Sequence, residues 1–447
     1  MREWLKAFWE NLRSSFWFVP TIMALGAALL SVATIDADRI SNATFANSVG
    51  FIWSGGADGA RSLLSTIAGS MITVAGVVFS ITIVALTLAS SQFGPRLLRN
   101  FVRDRGNQIT LGTFISTFLY CVLVVRTVRV KNEGDFVPFI SVTCGVVLAV
   151  ASIGVLIFFI HHVSRSIQAD YLIANVGEEF RRSIEEHFPE KPRTPLSADA
   201  TSYFRLEASG YQPLEAFSEK GGYVQVIDQS GLIDFACGKS ACVELMVAPG
   251  DFVLHGDVIA KIWTKEESNA NSLQGEMASF FEIGSQRTES QDVRYGGRQL
   301  SEIAARSLSP GINDPYTAMG CIDWGVDALS SAVRREPAPS YVQDAKGVIR
   351  LKKMPLGFGS ICSVMMEPIL SYGLNSAIVS LHLVVSMQRM VQYVKRIEDI
   401  RTLQRYGERI EVQSTRLLED GIALNDVTTE VVRLQRLLAS REQEINN

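Results

Sequence analysis

Four apolar runs without a charged residue constrain this chain more than anything else in it. They lie at about 16–35, 63–91, 109–125 and 137–160. Each reaches the roughly 17–25 residues a helix needs to cross the hydrocarbon of a bilayer, and the second is longer. No water is there to satisfy backbone N–H and C=O groups, so segments of this kind cross as helices. From residue 164 onward the chain reads as a water-soluble protein. A fifth apolar stretch, Ser376 to Val385, is short, contains His382 and is followed by Arg389, which predicts a core helix of the soluble part.

The fold class expected is a membrane α-helical bundle of four transmembrane helices followed by an α+β cytoplasmic domain with a small β-barrel or sandwich-like module. The boundaries expected are 1–163 for the bundle, 164–220 for a connecting helix and linker, 221–264 for the β-rich module and 265–447 for a mainly helical portion.

Orientation follows from lysine and arginine placement. Arg2, Lys6 and Arg13 precede the first run, Arg96, Arg99, Arg103 and Arg105 join the second to the third, and Arg165 follows the fourth. This predicts a multi-pass protein of a bacterial inner (plasma) membrane with both termini cytoplasmic. Arg126, Arg129 and Lys131 in the second outer loop run against that pattern. Trp4, Trp9, Trp17 and Trp53 sit near run ends, where interfacial aromatics belong. The first run ends at Asp36 without a cleavage-site pattern, so no signal peptide is expected. The six cysteines are scattered without a C-x-x-C and are expected to be reduced and buried. A net charge of −4 gives no basic field for nucleic acid.

The second run carries the most information. Ser65, Gly69, Thr73, Gly76, Ser80, Thr87 and Ser91 recur at spacings of three, four or seven, which sets them on one stripe of a helix. Such a stripe either packs closely on another helix or lines a water-filled path around an oligomer axis. Ion-coupled transporters usually need acidic or basic side chains at membrane depth, and these runs hold no Asp, Glu, Lys or Arg. Gly94-Pro95 should end the helix. Arg96, Arg99 and Arg103 then crowd a basic inner mouth, either as a topology signal touching anionic lipid or as an anion-attracting vestibule. Asn107 is expected to cap the third helix.

In the soluble part, Ser164 to His187 reads as one helix with Leu172, Ile173, Val176 and Phe180 on its apolar side, and residues 189–193 as a linker. The stretch Val247 to Ile262, with two Gly-Asp turns, resembles the hammerhead module of biotinyl and lipoyl carriers, but Lys239 lacks the flanking residues of a modified lysine. Polar residues are densest from Arg287 to Ala318. Asp314-Pro315 predicts a cap and first helical residue, with Asn313 in the preceding turn. Arg287, Gln291, Asp292, Arg298 and Gln299 either form a buried ion-pair network between helices or, with Asn313 and Asp314, line a site for a small anionic ligand or nucleotide.

The strings F-S-I-T-I-V-A-L-T-L-A-S-S-Q-F-G-P-R from Phe79, R-T-E-S-Q-D from Arg287 and A-A-R-S-L-S-P-G-I-N-D-P-Y-T-A from Ala304 resemble a bacterial family of predicted membrane proteins, domain of unknown function 2254. The resemblance implies a bacterial inner-membrane protein of this layout and brings no reaction, substrate or catalytic residue. The layout is also similar to that of small mechanosensitive channels, an analogy of architecture only.

Toward the C-terminus a strand is expected at Gly347 to Lys352, then helices at Ile361 to Lys395 with a break near Pro368, Ile397 to Leu418 and Asp426 to Glu444. Glu398 and Asp399, among Arg401, Arg405 and Arg409, read as a solvated face. No Walker loop, G-x-G-x-x-G, H-E-x-x-H or G-x-S-x-G occurs, and His161-His162 point apart on a helix, so neither catalytic residues, cofactor nor metal is expected. The leading expectation is a homo-oligomeric ion channel or pore lined by the second span, with membrane lipid and further copies of itself as partners. The rival is a membrane-anchored sensor or scaffold. An enzyme would need a cleft joining Asp292, Asp314 and Arg298.

Overall fold

The computed structural model describes residues 17–40, 56–94, 104–129, 136–189, 213–264, 270–337 and 339–447. The chain divides into two compact bodies that meet in sequence at Tyr171–Leu172.

The first body is built on four helices long and apolar enough to cross a membrane: α1 (Phe18–Ile40), α2 (Ala57–Phe93), α3 (Arg105–Val125) and α4 (Phe139–Ser166). Helix α3 packs against the other three. Its apolar window is 56% buried, against 17–22% in its neighbours, so α3 is the core of the bundle. Two glycines allow close approach there. A side chain at Gly112 would meet Met23 Sδ at 2.5 Å and the backbone of Pro20 at 3.2 Å, and one at Gly145 would meet Leu64 at 2.8 Å.

Polar groups near one end of the bundle are satisfied across helices. Asp38, near the end of α1, accepts from the Ile140 and Ser141 N–H groups at 2.8 and 2.9 Å and from the Ser141 hydroxyl at 2.6 Å. It thus occupies the free donors at the start of α4. Tyr120 donates to the Ser141 carbonyl and shares a hydrogen bond with Thr34, both at 3.0 Å. At the N-terminus of α3 the capping residue is Asp104, which accepts from Gly106 N–H at 2.7 Å and contacts His162 Nε2 at 2.6 Å. Asn107, expected as the cap, lies buried inside the helix instead. The aspartate three residues earlier reaches the open N–H groups first.

Helix α5 (Ala169–His187) is separate from α4, in place of one continuous helix from Ser164. The Ile167 and Gln168 N–H groups both turn back to the Arg165 carbonyl, which breaks the four-residue ladder. No proline or glycine marks this break. The apolar side of α5 is buried as expected, at Leu172, Ile173, Val176 and Phe180.

The second body holds two open sheets around one apolar core. Strands β1 (Leu214–Phe217), β2 (Gly222–Ile227), β3 (Cys242–Leu245), β4 (Phe252–Val253), β5 (Val258–Trp263) and β6 (Phe281–Gly284) are joined through helices α6 (Gln229–Gly238) and α7 (Ala270–Ala278), and β7 (Tyr341–Gln343) and β8 (Ile349–Lys352) come later. The order is β1-β5-β3-β8-β7 in one sheet and β4-β2-β6 in the other. Among the described residues only the β3–β8 pair is parallel. Among the described residues no sheet closes into a barrel. Strands from 221–264 pair with β1 before that stretch and with β6 and β8 after it.

Helices α8 (Tyr295–Ser307), α9 (Pro315–Arg334), α10 (Phe358–Gly373), α11 (Ala377–Val391), α12 (Ile397–Leu417) and α13 (Gly421–Asn446) complete this body. Pro368 lies inside α10, and the break falls at 374–376, where Gly373, Asn375 and Ser376 supply turn chemistry. Helix α11 is the buried helix expected from the fifth apolar stretch. Asp399 departs from the solvated face: it is 4% exposed, and Arg396 Nη2 lies 2.6 Å from its carboxylate. Cys237 is exposed rather than buried.

Candidate functional site

Two sets of residues were singled out by their chemistry, one in each body. In the first, all seven stripe residues of α2, Ser65, Gly69, Thr73, Gly76, Ser80, Thr87 and Ser91, are exposed in the single chain. At 100° per residue they fall within an arc of about 80°. The residues of α2 that pack on its neighbours, including Ala60, Leu64, Met71, Ala75, Val78, Ala85 and Ala89, are buried and form a second stripe. Its centre lies roughly 170° around the helix from the first. The small and hydroxyl-bearing face therefore points away from the chain's own bundle. A side chain added at Gly69 or Gly76 would meet nothing within 4 Å, in contrast to Gly112 and Gly145. Exposed Ile72, Val77, Phe79 and Val84 border the stripe.

The hydroxyls on this face are partly satisfied by their own helix. Thr73 donates to the Gly69 carbonyl at 2.8 Å, Thr87 to Ile83 at 2.9 Å and Ser91 to Leu88 at 2.8 Å. Their lone pairs remain directed outward, which gives an acceptor-bearing surface without charge. The helix has 37 residues, about 55 Å of rise, well beyond a hydrocarbon layer of about 30 Å. It stops at Gly94, whose φ of 114° belongs to the region glycine favours. Arg96, Arg99 and Arg103 lie outside the described residues, and Arg105 is exposed at the start of α3.

In the second body, the segment from Arg287 forms a network that ties two loops together. Asp292 is 2% exposed. Its Oδ1 accepts from Arg294 N–H at 3.0 Å and Nε at 3.2 Å, and Arg287 Nη1 lies 3.5 Å from its Oδ2. Arg294 also donates to Asp251 Oδ1 and to the Pro249 carbonyl, both at 2.8 Å. Burial pulls the Arg294 guanidinium down, but the carboxylates of Asp292 and Asp251 outweigh it and hold the group above its ordinary value. Gly250, at φ 87°, lets the 248–251 turn close over Asp292; a side chain there would collide with that carboxylate. Gln291 brackets β2 through the Ile227 N–H at 3.0 Å and carbonyl at 3.3 Å. Arg287 stacks over the Tyr223 ring at 4.9 Å. A buried carboxylate with two arginines is costly to break, since removing one partner strands a charge at about 3–5 kcal/mol.

The remaining members lie elsewhere on the same body. Arg298 and Gln299 are on α8, where Gln299 is buried. Asn313 adopts φ 49° and is exposed. Asp314 accepts from the Tyr316 and Thr317 N–H groups at 3.1 and 3.2 Å and from the Thr317 hydroxyl at 2.6 Å. That hydroxyl foremost, with the two N–H groups, holds its carboxyl below the usual range against the opposing effect of burial. The turn and cap read from Asn313 to Thr317 are thus present.

Asp292 lines two clefts. One, of about 250 Å³, includes Gln299, Glu289 and Phe180; the other, of about 170 Å³, includes Arg294, Asp251, Val247 and Met354. Neither is lined by Asp314 or Arg298. The network's central cation, Arg294, and its partner Asp251 escaped the sequence reading. The pair is separated by 43 residues, and only the Gly-Asp turn marked one end.

The model of the family described as "Predicted membrane protein (DUF2254)" matches residues 13–389. Uncharacterized protein MT1328 of Mycobacterium tuberculosis (strain CDC 1551 / Oshkosh) is 32% identical over 346 residues, which cover 76% of this chain and 64% of that protein. Uncharacterized protein Mb1321c of Mycobacterium bovis gives the same identity and coverage. The chain thus spans about 64% of the length of these curated relatives. No solved structure matches it.

Proposed function

The chain belongs to the DUF2254 family of predicted membrane proteins, and on that footing we propose a homo-oligomeric pore of a bacterial inner membrane, lined by α2. The carrying observation is the orientation of the seven-residue stripe: every member is exposed, on the side of α2 away from the described helices of its own bundle. A face of glycine, serine and threonine suits an axis where copies of α2 converge, because small residues admit close approach and outward lone pairs can replace water around an ion. The apolar residues bordering the stripe then meet neighbouring subunits or lipid. In this reading both termini are cytoplasmic, as the lysine and arginine distribution suggests. The second body forms a vestibule or gate, and the arginine-rich sequence after Gly94 supplies positive charge on the side that the lysine and arginine distribution makes cytoplasmic.

The test is reconstitution of the purified full-length protein into planar bilayers. The expected outcome is discrete conductance that falls sharply in Gly76→Leu and Thr73→Leu, with Val84→Leu, beside the stripe, as control. No conductance under voltage, membrane tension or any of several salts overturns the reading. So does conductance that is indifferent to both stripe substitutions.

A further inference from the structure

We propose that the second body carries a binding site for a phosphate-bearing anion, in a cleft of about 380 Å³ between α5, α9 and the turn after α11. The volume falls within the roughly 300–1,000 Å³ typical of small-molecule sites. Four cations line it: Arg181 from α5, Arg334 and Arg335 at the end of α9, and Lys395. Only two acids do, Glu185 and Asp327. The charge balance of these six is +2 in a chain whose net charge is −4.

The pairing leaves a specific excess. Arg181 lies 3.5 Å from Glu185 and 3.6 Å from Asp327, and Arg335 lies 3.7 Å from Glu185. Those two cations account for both acids. Arg334 and Lys395 have no carboxylate within 4.0 Å among the described residues. Arg334 instead lies over the Tyr393 ring, its guanidinium carbon 3.5 Å from the centroid. Stacking fixes the plane of the fork and leaves its N–H edges for an in-plane acceptor, the geometry that suits bidentate recognition of phosphate oxygens. Lys395 donates to the Arg334 carbonyl at 2.8 Å, which holds its ammonium at the end of α9, on the lining of the same cleft. It also offsets the negative end of α9, which would otherwise repel an anion. The Arg396 guanidinium does the same, bonding the Arg335 and Ala332 carbonyls.

None of these residues belongs to the Arg287–Asp292–Arg294 network, and the site does not depend on the pore reading. The phosphate can be that of a soluble compound or of a lipid headgroup, and the recognition chemistry is the same.

Isothermal titration of pyrophosphate into full-length protein in phosphatidylcholine nanodiscs tests it. The companion arm titrates a soluble short-chain phosphatidic acid. Saturable binding of either probe is expected, weakened about tenfold or more by Arg334→Gln and again by Lys395→Gln, since each removes a charge-assisted contact. Arg433→Gln, an exposed cation of α13, serves as control and should bind as the parent does. Preference for pyrophosphate assigns a soluble ligand, and preference for the phosphatidic acid assigns a headgroup. Equal affinity in parent, R334Q and K395Q overturns the site, as does absence of saturable binding by both probes. Both substituted side chains are exposed, so unchanged thermal melting is expected to accompany the loss of binding.

Discussion

Single side chains in the Arg287–Asp314 segment differ sharply in what surrounds them. Asp292 is sunk between two arginines, whereas Asp314 sits at the surface and serves its own helix. An N-cap carboxylate contributes about 1 kcal/mol, so Asp314→Ala should lower the melting temperature measurably. Its pH dependence has a defined sign. Because the folded carboxyl is held below its ordinary value, its stabilisation is complete above the unfolded value near 4 and is lost as the pH falls through the lowered one. Asp314→Asn retains a capping oxygen and removes the titration. Melting curves collected on the acid side should therefore fall more steeply for the parent than for D314N, and parallel slopes would contradict the assignment. This aspartate was legible from five consecutive residues, because its partners lie within three positions of it. Asp292 was legible only as one member of a polar cluster, because the guanidinium and turn that surround it come from different parts of the chain.

Among the elements, the glycines that matter are those at crossings. Gly296 opens α8 directly against α5: a side chain there would meet Phe180 Cβ at 2.5 Å and its backbone Cα at 2.9 Å. At Gly297 the nearest atom is the Phe180 ring tip at 3.0 Å, which can swing aside. Gly296→Ala should therefore destabilise the second body by about 1–3 kcal/mol, despite alanine's better helix propensity of up to about 1 kcal/mol. Gly297→Ala should cost clearly less, and denaturant unfolding of the two variants side by side measures the difference. Sequence periodicity located these helices well, since burying an apolar side leaves a pattern at 3.6 residues. It could not reveal that two glycines in a polar stretch seat a phenylalanine more than a hundred positions earlier. Nor could it separate α4 from α5, where backbone bonds alone make the break. The β-rich stretch was read as self-contained because its turns are local; its partner strands, β6 and β8, follow later in the chain.

At the scale of the whole molecule, the deciding question is what covers the outward face of α2. Hydropathy identified the four membrane helices because their length and lack of charge are properties of each segment alone. The direction in which the stripe points is not such a property. It depends on α3 claiming the alanine- and leucine-bearing side of α2, and that choice rests on contacts with Tyr120, Phe114 and their neighbours in the bundle core. Once that side is occupied, the hydroxyl face is covered by none of the described residues. Lipid alone gives no advantage to seven small or polar residues held within one narrow arc, since larger apolar side chains would be better lipid-facing choices. A second copy does, and it makes a directional prediction. With Cys144 and Cys237 replaced by alanine, Ser80→Cys in native membranes should form an interchain disulfide under mild oxidation, giving a dimer band on non-reducing gels. Ala75→Cys, on the opposite, buried side of the same helix, should remain monomeric. Absence of crosslinking at Ser80→Cys would detach the stripe from a subunit interface, and crosslinking at both positions would remove the preference for the stripe face on which the prediction rests.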